Sequence, residues 1–280
     1  MAKNGILLVW LLSASIMVFA QGGGASLSGE PTVRDRAYDV VRTTSRQVIP
    51  YAHLRESDVF YEKRIWRVIN VSENMNKPFI YPERKFIDIL LDNAYEGVIS
   101  AYTVNDDKFT TTMPLEEVQN YGRGADTQLV IDPITLEERY EIFERELNRE
   151  NIRSYRLKED WIFDKQLSTM YVRILGIAPI ESRYDENGNF IADVPMFWFY
   201  YPHLRNILVN EEVFNPMNDT QLISWDDLFE MRLFASYIMQ ESNVYGRRIK
   251  DYAGSGIDAL LEHDRIRQEI FEKEHDLWSY

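Results

Sequence analysis

The chain contains no cysteine in 280 residues and only four histidines. Without cysteine it can form no disulfide, no thiolate nucleophile and no cysteine-ligated zinc site. The histidines, His53, His203, His263 and His275, are far apart in the sequence, and none has the spacing of a zinc ligand pair. The sequence therefore predicts neither a metal site nor a cofactor, and we expect surface or packed histidines.

Basic side chains are also in the minority. The chain has 45 acidic and 31 basic residues, which gives a formal net charge of -14. A protein of this charge repels the phosphates of nucleic acids and anionic membranes unless a local basic patch intervenes. Because the sequence has no long run of lysine and arginine, we expect no nucleic-acid partner. With 45% hydrophobic and 13% aromatic residues, the chain can still bury a large core.

Residues 1–20 have the pattern of a secretory signal peptide. Lys3 supplies a positive charge, residues 6–19 are apolar apart from two serines, and Val18 and Ala20 are small residues where signal peptidase recognises them. We predict cleavage between Ala20 and Gln21. Since no cysteine follows, acylation as a lipoprotein is excluded. A membrane span needs about 20 apolar residues, so a retained anchor is the less favoured alternative and we expect no direct membrane anchor.

Composition divides the rest of the chain into two parts. Residues 21–56 are polar, begin with a glycine-rich stretch and lack apolar periodicity. This composition predicts a flexible polar arm that becomes ordered against the domain or a partner. Residues 57–280 alternate between apolar patterns and turn signals, which predicts a single folded α+β domain.

Apolar spacing and capping residues predict most of the helices. Their spans are 57–67, 83–94, 114–120, 135–147, 224–238 and 257–278. Stretches rich in β-branched and aromatic residues predict strands at 98–104, 153–163 and 170–178. The last two strands form a hairpin, and Pro179 is expected to close the second of them.

The most unusual stretch is residues 197–201, which are five consecutive aromatic side chains between Pro195 and Pro202. Side chains alternate along a strand, so both faces of such a strand are apolar and both must be covered. The sequence thus predicts an antiparallel sheet with an internal aromatic strand covered by amphipathic helices. The alternative is an aromatic platform for a ligand or partner. Its contacts would be Tyr200, Tyr201, His203 and Arg205.

Two groups of carboxylates have a pattern compatible with catalysis or metal binding. Asp226 and Asp227 could act as general acid and base, but the start of a helix favours carboxylates without catalysis. Residues 185–193 offer oxygen ligands, yet a calcium loop requires glycine where Phe190 stands and glutamate where Met196 stands. We therefore predict a plain turn there and no catalytic residue.

Seven segments in a fixed order resemble the GldN family, called PorN in other species, of gliding-motility and type IX secretion proteins of Bacteroidetes. The segments are DVFYEKRIWR (58–67), ENMNKPFIYP (73–82), WIFDKQ (161–166), VRILGIAP (172–179), MFWFYYPHLR (196–205), SWDDLF (224–229) and NVYGRRI (243–249). The resemblance covers nearly all of the chain from about residue 50 to Trp278, and an ordered set is more specific than any single segment.

The resemblance implies a non-enzymatic structural subunit of a periplasmic ring complex, peripherally associated with the outer membrane. Family members self-associate in a ring with an outer-membrane lipoprotein, GldK or PorK, and work with the inner-membrane motor proteins GldL and GldM. We expect the arm and the C-terminal helix to supply partner surfaces. Two other hypotheses stay open: a periplasmic binding module that uses the end of the aromatic strand, and an envelope hydrolase that uses Asp226 and Asp227.

Overall fold

A long antiparallel hairpin, formed by strands β5 and β6, lies at the centre of the sheet. The computed structural model describes residues 46–122, 124–131, 138–145, 147–185, 188–216, 218 and 223–278. The strands are β1 (Val59–Asn70), β2 (Ala101–Tyr102), β3 (Gly124–Ile131), β4 (Glu138–Arg145), β5 (Ile152–Asp164), β6 (Thr169–Tyr184), β7 (Phe190–Pro195), β8 (Trp198–Tyr200), β9 (Glu212–Val213), β10 (Ile223–Ser224) and β11 (Tyr237–Glu241). The α-helices are α1 (Phe86–Tyr95), α2 (Leu115–Asn120), α3 (Tyr201–Leu208), α4 (Trp225–Glu230) and α5 (Gly256–Trp278). Short 3-10 helices cover Glu56–Asp58, Asn74–Ile80, Arg149–Asn151 and Ile249–Asp251.

The main sheet is antiparallel throughout. Its strand order is β11-β1-β5-β6-β8-β2, and β7 also pairs with β6. Strands β9 and β10 form a small pair, as do β3 and β4. The predicted α+β class with an antiparallel sheet is therefore confirmed. Among the described residues, no helix is both long and apolar enough to cross a membrane.

Helices cover one face of β1 and β5 in two separate groups. Ile69 of β1 lies in a large apolar cluster with side chains of α1, α3 and α4, whereas Ile65 lies in a smaller cluster with Ile266 and Ile270 of α5. Ile65, Arg67 and Ile69 share this face because alternate residues of a strand point the same way. The sheet therefore carries two apolar cores with a charged residue between them.

Buried polar groups separate the two cores. The Arg67 guanidinium donates to Ser236 Oγ at 2.9 Å and to the Ser236 carbonyl at 3.1 Å. The fully buried Glu159 pairs with Arg232 at 3.0 Å and accepts from Trp161 Nε1 at 3.3 Å. Burial lowers the pKa of Arg67, although the nearby charge of Glu159 opposes that shift. These contacts satisfy charges that would otherwise be costly inside the protein.

Strand β8 occupies the internal position between β6 and β2. Phe197 and Phe199 join the large apolar cluster, with ring centroids 5.1 Å apart. Trp198 and Tyr200 contact Phe109 instead, at 6.2 and 5.4 Å between ring centroids. The helices thus cover one side of the aromatic strand, and the loop that carries Phe109 covers the other.

Asp106 fixes the backbone of that loop. Its carboxylate accepts the Thr110 hydroxyl and the amides of Lys108, Thr110 and Thr111. These bonds, led by the Thr110 hydroxyl, lower the pKa of Asp106 to about 2. Phe109 adopts a positive φ of 60° as a result of the tight turn, and Lys158 of β5 lies 5.2 Å from its ring. The loop therefore stays folded over β8 without a helix.

Several predicted elements were wrong. The helix predicted at 57–67 is wrong: Glu56–Asp58 is a 3-10 helix and β1 begins at Val59. Tyr61 and Ile65 satisfy both the helix and the strand spacing, and the neighbouring strands β5 and β11 supply backbone partners. The span 135–147, which was predicted to be a helix, contains strand β4, and β4 pairs with β3, a strand that was not predicted. Thr135, its proposed cap, lies outside the described residues.

Three predicted boundaries also differ. Strand β6 passes through Pro179 to Tyr184, because Pro179 lies where its neighbour changes from β8 to β7 and its carbonyl accepts the Met196 amide at 3.0 Å. The aromatic strand ends at Tyr200, and Tyr201 begins α3. Helix α4 ends at Glu230, since Arg232 takes a positive φ of 54° and the Leu233 amide donates back to Leu228 at 2.9 Å.

Gly176 of β6 offers a test of how Phe109 covers the sheet. A β carbon there would lie 2.5 Å from Phe109 Cζ and 3.1 Å from the Phe199 carbonyl. We predict that Gly176→Ala lowers the free energy of unfolding by about 1–3 kcal/mol, because the ring must move. Urea unfolding measures this. Gly256→Ala, where an added β carbon meets nothing within 4 Å, is the control. In a Phe109→Ala background the cost should shrink; an equal cost in both backgrounds would contradict the explanation.

His263 connects α5 to the edge strand β11 and predicts a pH dependence. Its Nδ1 accepts the Ile238 amide at 2.9 Å, which requires a ring unprotonated at that nitrogen. Burial, assisted by Arg67 and Arg267 and opposed by Asp264, lowers the pKa of His263 below its usual 6.5. The neutral ring is thus favoured in the folded state.

The contribution of His263 to stability is therefore complete above pH 6.5 and is lost as the pH falls through its lowered folded pKa. We predict that the thermal midpoint falls more between pH 7.5 and pH 5 in the native protein than in His263→Gln, whose side-chain oxygen can also accept the amide. Equal pH profiles for the two proteins would show that His263 does not titrate in this way.

Candidate functional site

A buried ion pair between α3 and α4 lies at the end of the aromatic segment. Arg205 Nε donates to Asp226 Oδ1 at 2.8 Å, and Nη2 donates to Oδ2 at 3.1 Å. Both side chains are less than 8% exposed. Helix α3 begins directly after β8 and the capping box of Ser224 with Asp227 starts α4, so the two helices meet at this pair. Two-point contacts of this kind are strong and directional.

The tyrosine that begins α3 completes the pair. The Tyr201 hydroxyl donates to Asp226 Oδ1 at 3.2 Å, and its ring lies 5.8 Å from that of Phe229. Burial, reinforced by the negative charges of Asp226 and Glu230, raises the pKa of Tyr201. Its hydroxyl therefore stays protonated and acts as a hydrogen-bond donor to the carboxylate.

Residues 46–52, at the end of the predicted arm, lie over this ion pair. Arg205 Nη1 donates to the Ile49 carbonyl at 3.0 Å, and the Arg46 amide donates to Asn210 Oδ1 at 2.8 Å. The Arg46 guanidinium also lies 3.7 Å from Asp227. A polar segment without its own secondary structure is thus held by hydrogen bonds from its backbone to Arg205 of α3 and to Asn210 just after α3, and by charge at α4.

Tyr51 is the main side-chain contact of this segment. The guanidinium carbons of Arg173 and Arg205 lie 3.9 and 4.1 Å from the centre of its ring, and its hydroxyl donates to Glu230. Arginine planes stack favourably on aromatic faces. Burial, followed by the hydrogen bond and charge of Glu230, raises the pKa of Tyr51. Tyr51 therefore anchors the arm segment through its ring and its hydroxyl together.

Electrostatics keep Arg205 charged. Burial has the largest single effect on its pKa and lowers it, but the hydrogen bonds and charge of Asp226, with Tyr51 and Glu230, raise it by more. A buried guanidinium with five donors needs several acceptors, and here Asp226 and the Ile49 carbonyl provide them, while the Glu230 carboxylate lies 3.8 Å from Nε as a further negative charge. The arrangement is chemically suited to hold chain segments together.

The structure places the residues of the proposed aromatic contact in two environments. Tyr201 and Arg205 are buried, whereas Tyr200 is half-buried and His203 is exposed, with the rings of these two 4.9 Å apart. That a partner contacts them stays a prediction. The predicted cleavage site at Ala20 and Gln21 lies outside the described residues.

Sequence reasoning missed the three other residues of this cluster. Tyr51 lies in a polar arm with no periodic pattern, and Arg173 and Glu230 occupy ordinary positions of a strand and a helix. The single local signal was the pair Pro50 and Tyr51, since an aromatic residue in a polar stretch favours a contact. Nothing in the sequence indicates that 46–52 would reach α3.

Asp226 and Asp227, considered as an acid and base, have separate structural roles. Asp226 pairs with Arg205, while Asp227 closes the capping box with Ser224 through bonds of 3.1 and 2.7 Å. Asp185, at the start of the predicted turn, accepts the Asn189 amide at 2.6 Å. In the described part of the chain, no group of three or more histidine or acidic side chains is arranged to hold a metal ion.

The ion pair predicts a large and specific loss of stability. Arg205→Ala leaves the Asp226 carboxylate buried with the Tyr201 hydroxyl as its remaining partner at this position. We expect a loss of about 3–5 kcal/mol in urea unfolding, and faster proteolysis within residues 46–52. Arg46→Ala, which removes a partly exposed contact, is the matched control and should cost about 1 kcal/mol or less.

The double variant Arg205→Met with Asp226→Leu removes both charges and should recover most of the lost stability, because burying an unpaired charge is the main cost. If Arg205→Ala is no more damaging than Arg46→Ala, the ion pair does not join the two helices energetically.

Comparison with known proteins adds the identity of this fold. No curated protein sequence matches the chain. Residues 54–279 match the family described as gliding motility associated protein GldN. The match begins just after the segment that carries Tyr51 and reaches the end of α5, so it includes the sheet, the ion pair and every described helix. The chain belongs to the GldN family of gliding-motility-associated proteins.

Proposed function

We propose that this protein is a non-enzymatic structural subunit of the periplasmic ring complex of the type IX secretion and gliding-motility machinery. The observation that carries the proposal is the family match over residues 54–279. In that role the protein binds an outer-membrane lipoprotein of the GldK or PorK type and works with the inner-membrane motor proteins GldL and GldM. Its own copies associate within the ring.

The roles of the acidic residues support a non-enzymatic function. A general acid or base must be free to exchange a proton with a substrate. Asp226 is held by Arg205 and Tyr201, and Asp227 caps a helix. These contacts use both carboxylates for folding, which removes the motivation for the hydrolase hypothesis.

The sequence supports a periplasmic location at the outer membrane. Residues 1–20 have the pattern of a cleavable leader, and the chain lacks the cysteine that lipid attachment requires. A partner that carries the lipid would therefore supply the membrane attachment. In this arrangement the lipoprotein is attached to the membrane, and the present protein binds the lipoprotein.

A second candidate is a periplasmic binding module that uses the end of the aromatic segment. One observation favours it: His203 is exposed and its ring contacts the half-buried Tyr200. The neighbouring Tyr201 and Arg205 are already engaged in internal contacts. Only Tyr200 and His203 of the four predicted residues are thus open to a ligand.

Capture from cells tests the proposal. We expect the tagged protein from detergent-solubilised envelopes to bring down the outer-membrane lipoprotein. In a strain that lacks the gene, we expect the Asp227→Asn variant to restore secretion, because Asp227 has a structural role and not a catalytic one. A persistently monomeric protein with no envelope partner would contradict the proposal. His203→Ala separates the second candidate: loss of association in a stably folded protein would favour the binding module.

A further inference from the structure

The face of the sheet that points away from the helices carries an arginine in mid-strand. Arg156 of β5 is paired in register with Val68 of β1, and Val68 is paired with Tyr237 of the edge strand β11. Its neighbours along β5, Tyr155 and Leu157, lie in the large apolar cluster. Because side chains alternate along a strand and paired residues share a face, Arg156, Val68 and Tyr237 lie together on the opposite face.

Arg156 has no acceptor for its guanidinium. Its Nε atom is buried and without a hydrogen-bond partner, whereas its two Nη atoms are accessible to solvent. Among the described residues, none accepts a hydrogen bond from Arg156, and no carboxylate lies within 4.0 Å of its nitrogens. A guanidinium has five N–H donors, so a partly buried one without an acceptor is unfavourable.

The electrostatic surroundings of Arg156 are positive. Burial, reinforced by the charge of Arg248 and opposed by Tyr237, lowers the pKa of Arg156 to about 10. The group is thus still charged at neutral pH. For each of the other arginines with a shifted pKa, a nearby carboxylate raises the pKa, as Glu159 does for the buried Arg67. The chain has 45 acidic residues, yet none of the described ones compensates the charge of Arg156.

Arg248 brings a second positive charge to this region from the edge of the sheet. It lies between β11 and the 3-10 helix Ile249–Asp251. Its amide donates to Asp251 Oδ2 at 2.8 Å and its carbonyl accepts the Asp251 amide at 3.0 Å, which fixes its backbone. Arg248 is partly exposed and makes no ion pair with another described residue. Neighbouring like charges repel each other, and an anion bound by both arginines would relieve that repulsion.

The Tyr237 hydroxyl adds a neutral donor. Tyr237 is 42% exposed. Burial, followed by the charges of Asp193 and Glu73, raises the pKa of Tyr237, and the charge of Arg156 opposes that shift. The hydroxyl therefore stays protonated at neutral pH. Asp193 already accepts the Ser182 hydroxyl at 2.7 Å, and neither of the two acidic residues acts on Arg156.

These three groups have the chemistry of an oxyanion site. The planar guanidinium matches two oxygens of a carboxylate or a phosphate, and it is less strongly hydrated than an ammonium group. A phenol hydroxyl can donate one further hydrogen bond. Since Nε is buried, the accessible Nη atoms of Arg156 are the ones that can reach a ligand.

We propose that Arg156, Arg248 and Tyr237 bind an oxyanion, a carboxylate or a phosphate, on the face of the sheet opposite the helices. We call these three residues the arginine site. The site does not depend on a role in a ring complex, because all its groups belong to one chain. Binding places a negative charge beside two cations that have no such partner among the described residues. A ligand that binds only the folded state stabilises that state by mass action.

Thermal unfolding of the purified protein tests the site. The midpoint is measured at pH 7 in sodium phosphate, in sodium acetate and in sodium chloride of equal ionic strength. We expect phosphate, acetate or both to raise the midpoint of the native chain by about 2–4 °C over chloride, at an anion concentration about five times its Kd. Phosphate also stabilises proteins without binding to them, so only the part of the shift that a site variant loses counts as binding.

The variant Arg156→Met should lose that shift. Methionine fills a similar space without charge, so the midpoint of the variant in chloride should be no lower than that of the native chain, because an unpaired and partly buried charge is removed. Arg248→Gln should lose at least half of the shift, and it carries the same comparison if Arg156→Met does not fold. Lys250→Gln removes an exposed positive charge two residues from Arg248 and is the matched control, which should keep the full shift.

A titration followed by nuclear magnetic resonance gives the affinity directly. In the ¹⁵N-labelled native chain, the amide signals of Val68 and Tyr237 should shift and saturate with the anion, and Arg156→Met should bind at least tenfold more weakly. A response to phosphate alone identifies a phosphate ligand, and a response to acetate alone identifies a carboxylate. If neither anion affects the native chain more than Arg156→Met, or if Lys250→Gln loses as much as Arg248→Gln, the arginine site is wrong.

Discussion

The packing of Phe79 is the interaction on which the rest of this fold depends. Its ring centroid lies 4.9–6.0 Å from those of four other aromatic residues, Phe86, Tyr155, Trp225 and Phe229. These belong to α1, β5 and α4, so one side chain joins the sheet to two helices. Without cysteine no disulfide can take over this role. Asn76 holds the segment in place, because its buried amide bonds to the Asn70 carbonyl at 2.7 Å and to both backbone groups of Ala235 at 2.9 Å.

The aromatic cluster also determines where the charged groups lie. Trp225 begins α4 and is packed against Phe79 and Phe86, so the next residue, Asp226, is directed towards α3. There it meets Arg205, whose remaining donors reach the arm segment at Ile49. The order of dependence runs from apolar packing to the ion pair and then to the arm. The cost of removing water from both charges offsets much of their attraction, so such a pair adds little net stability although removing one partner is costly.

Local patterns predicted the parts of the fold that depend on local physics. Helix α1, the capping box of Ser224 with Asp227, the β5–β6 hairpin and α5 all have signals within a few residues. Strand β1 was mistaken because its pairing is with residues about 100 positions away, which the spacing of Tyr61 and Ile65 cannot show. The contact of Tyr51 with Glu230 joins residues 179 positions apart, and no local pattern determines such a contact. The candidate site was therefore predictable only in part: α4 was expected, but neither helix α3 nor the segment that covers the ion pair was.

The way charges are satisfied distinguishes internal surfaces from those suited to a partner. At the end of the aromatic segment, Arg205 and Asp226 use their hydrogen-bonding groups within the chain, and Tyr51 fills the space above Arg205. Other parts of the surface differ, since Lys77 and Arg153 in one place and Val244 and Tyr245 in another are exposed. Burying an exposed apolar group against a partner is favourable, and the gain is larger when the group is already held rigidly. A subunit of an assembly needs exposed surfaces of this kind to bind its neighbours.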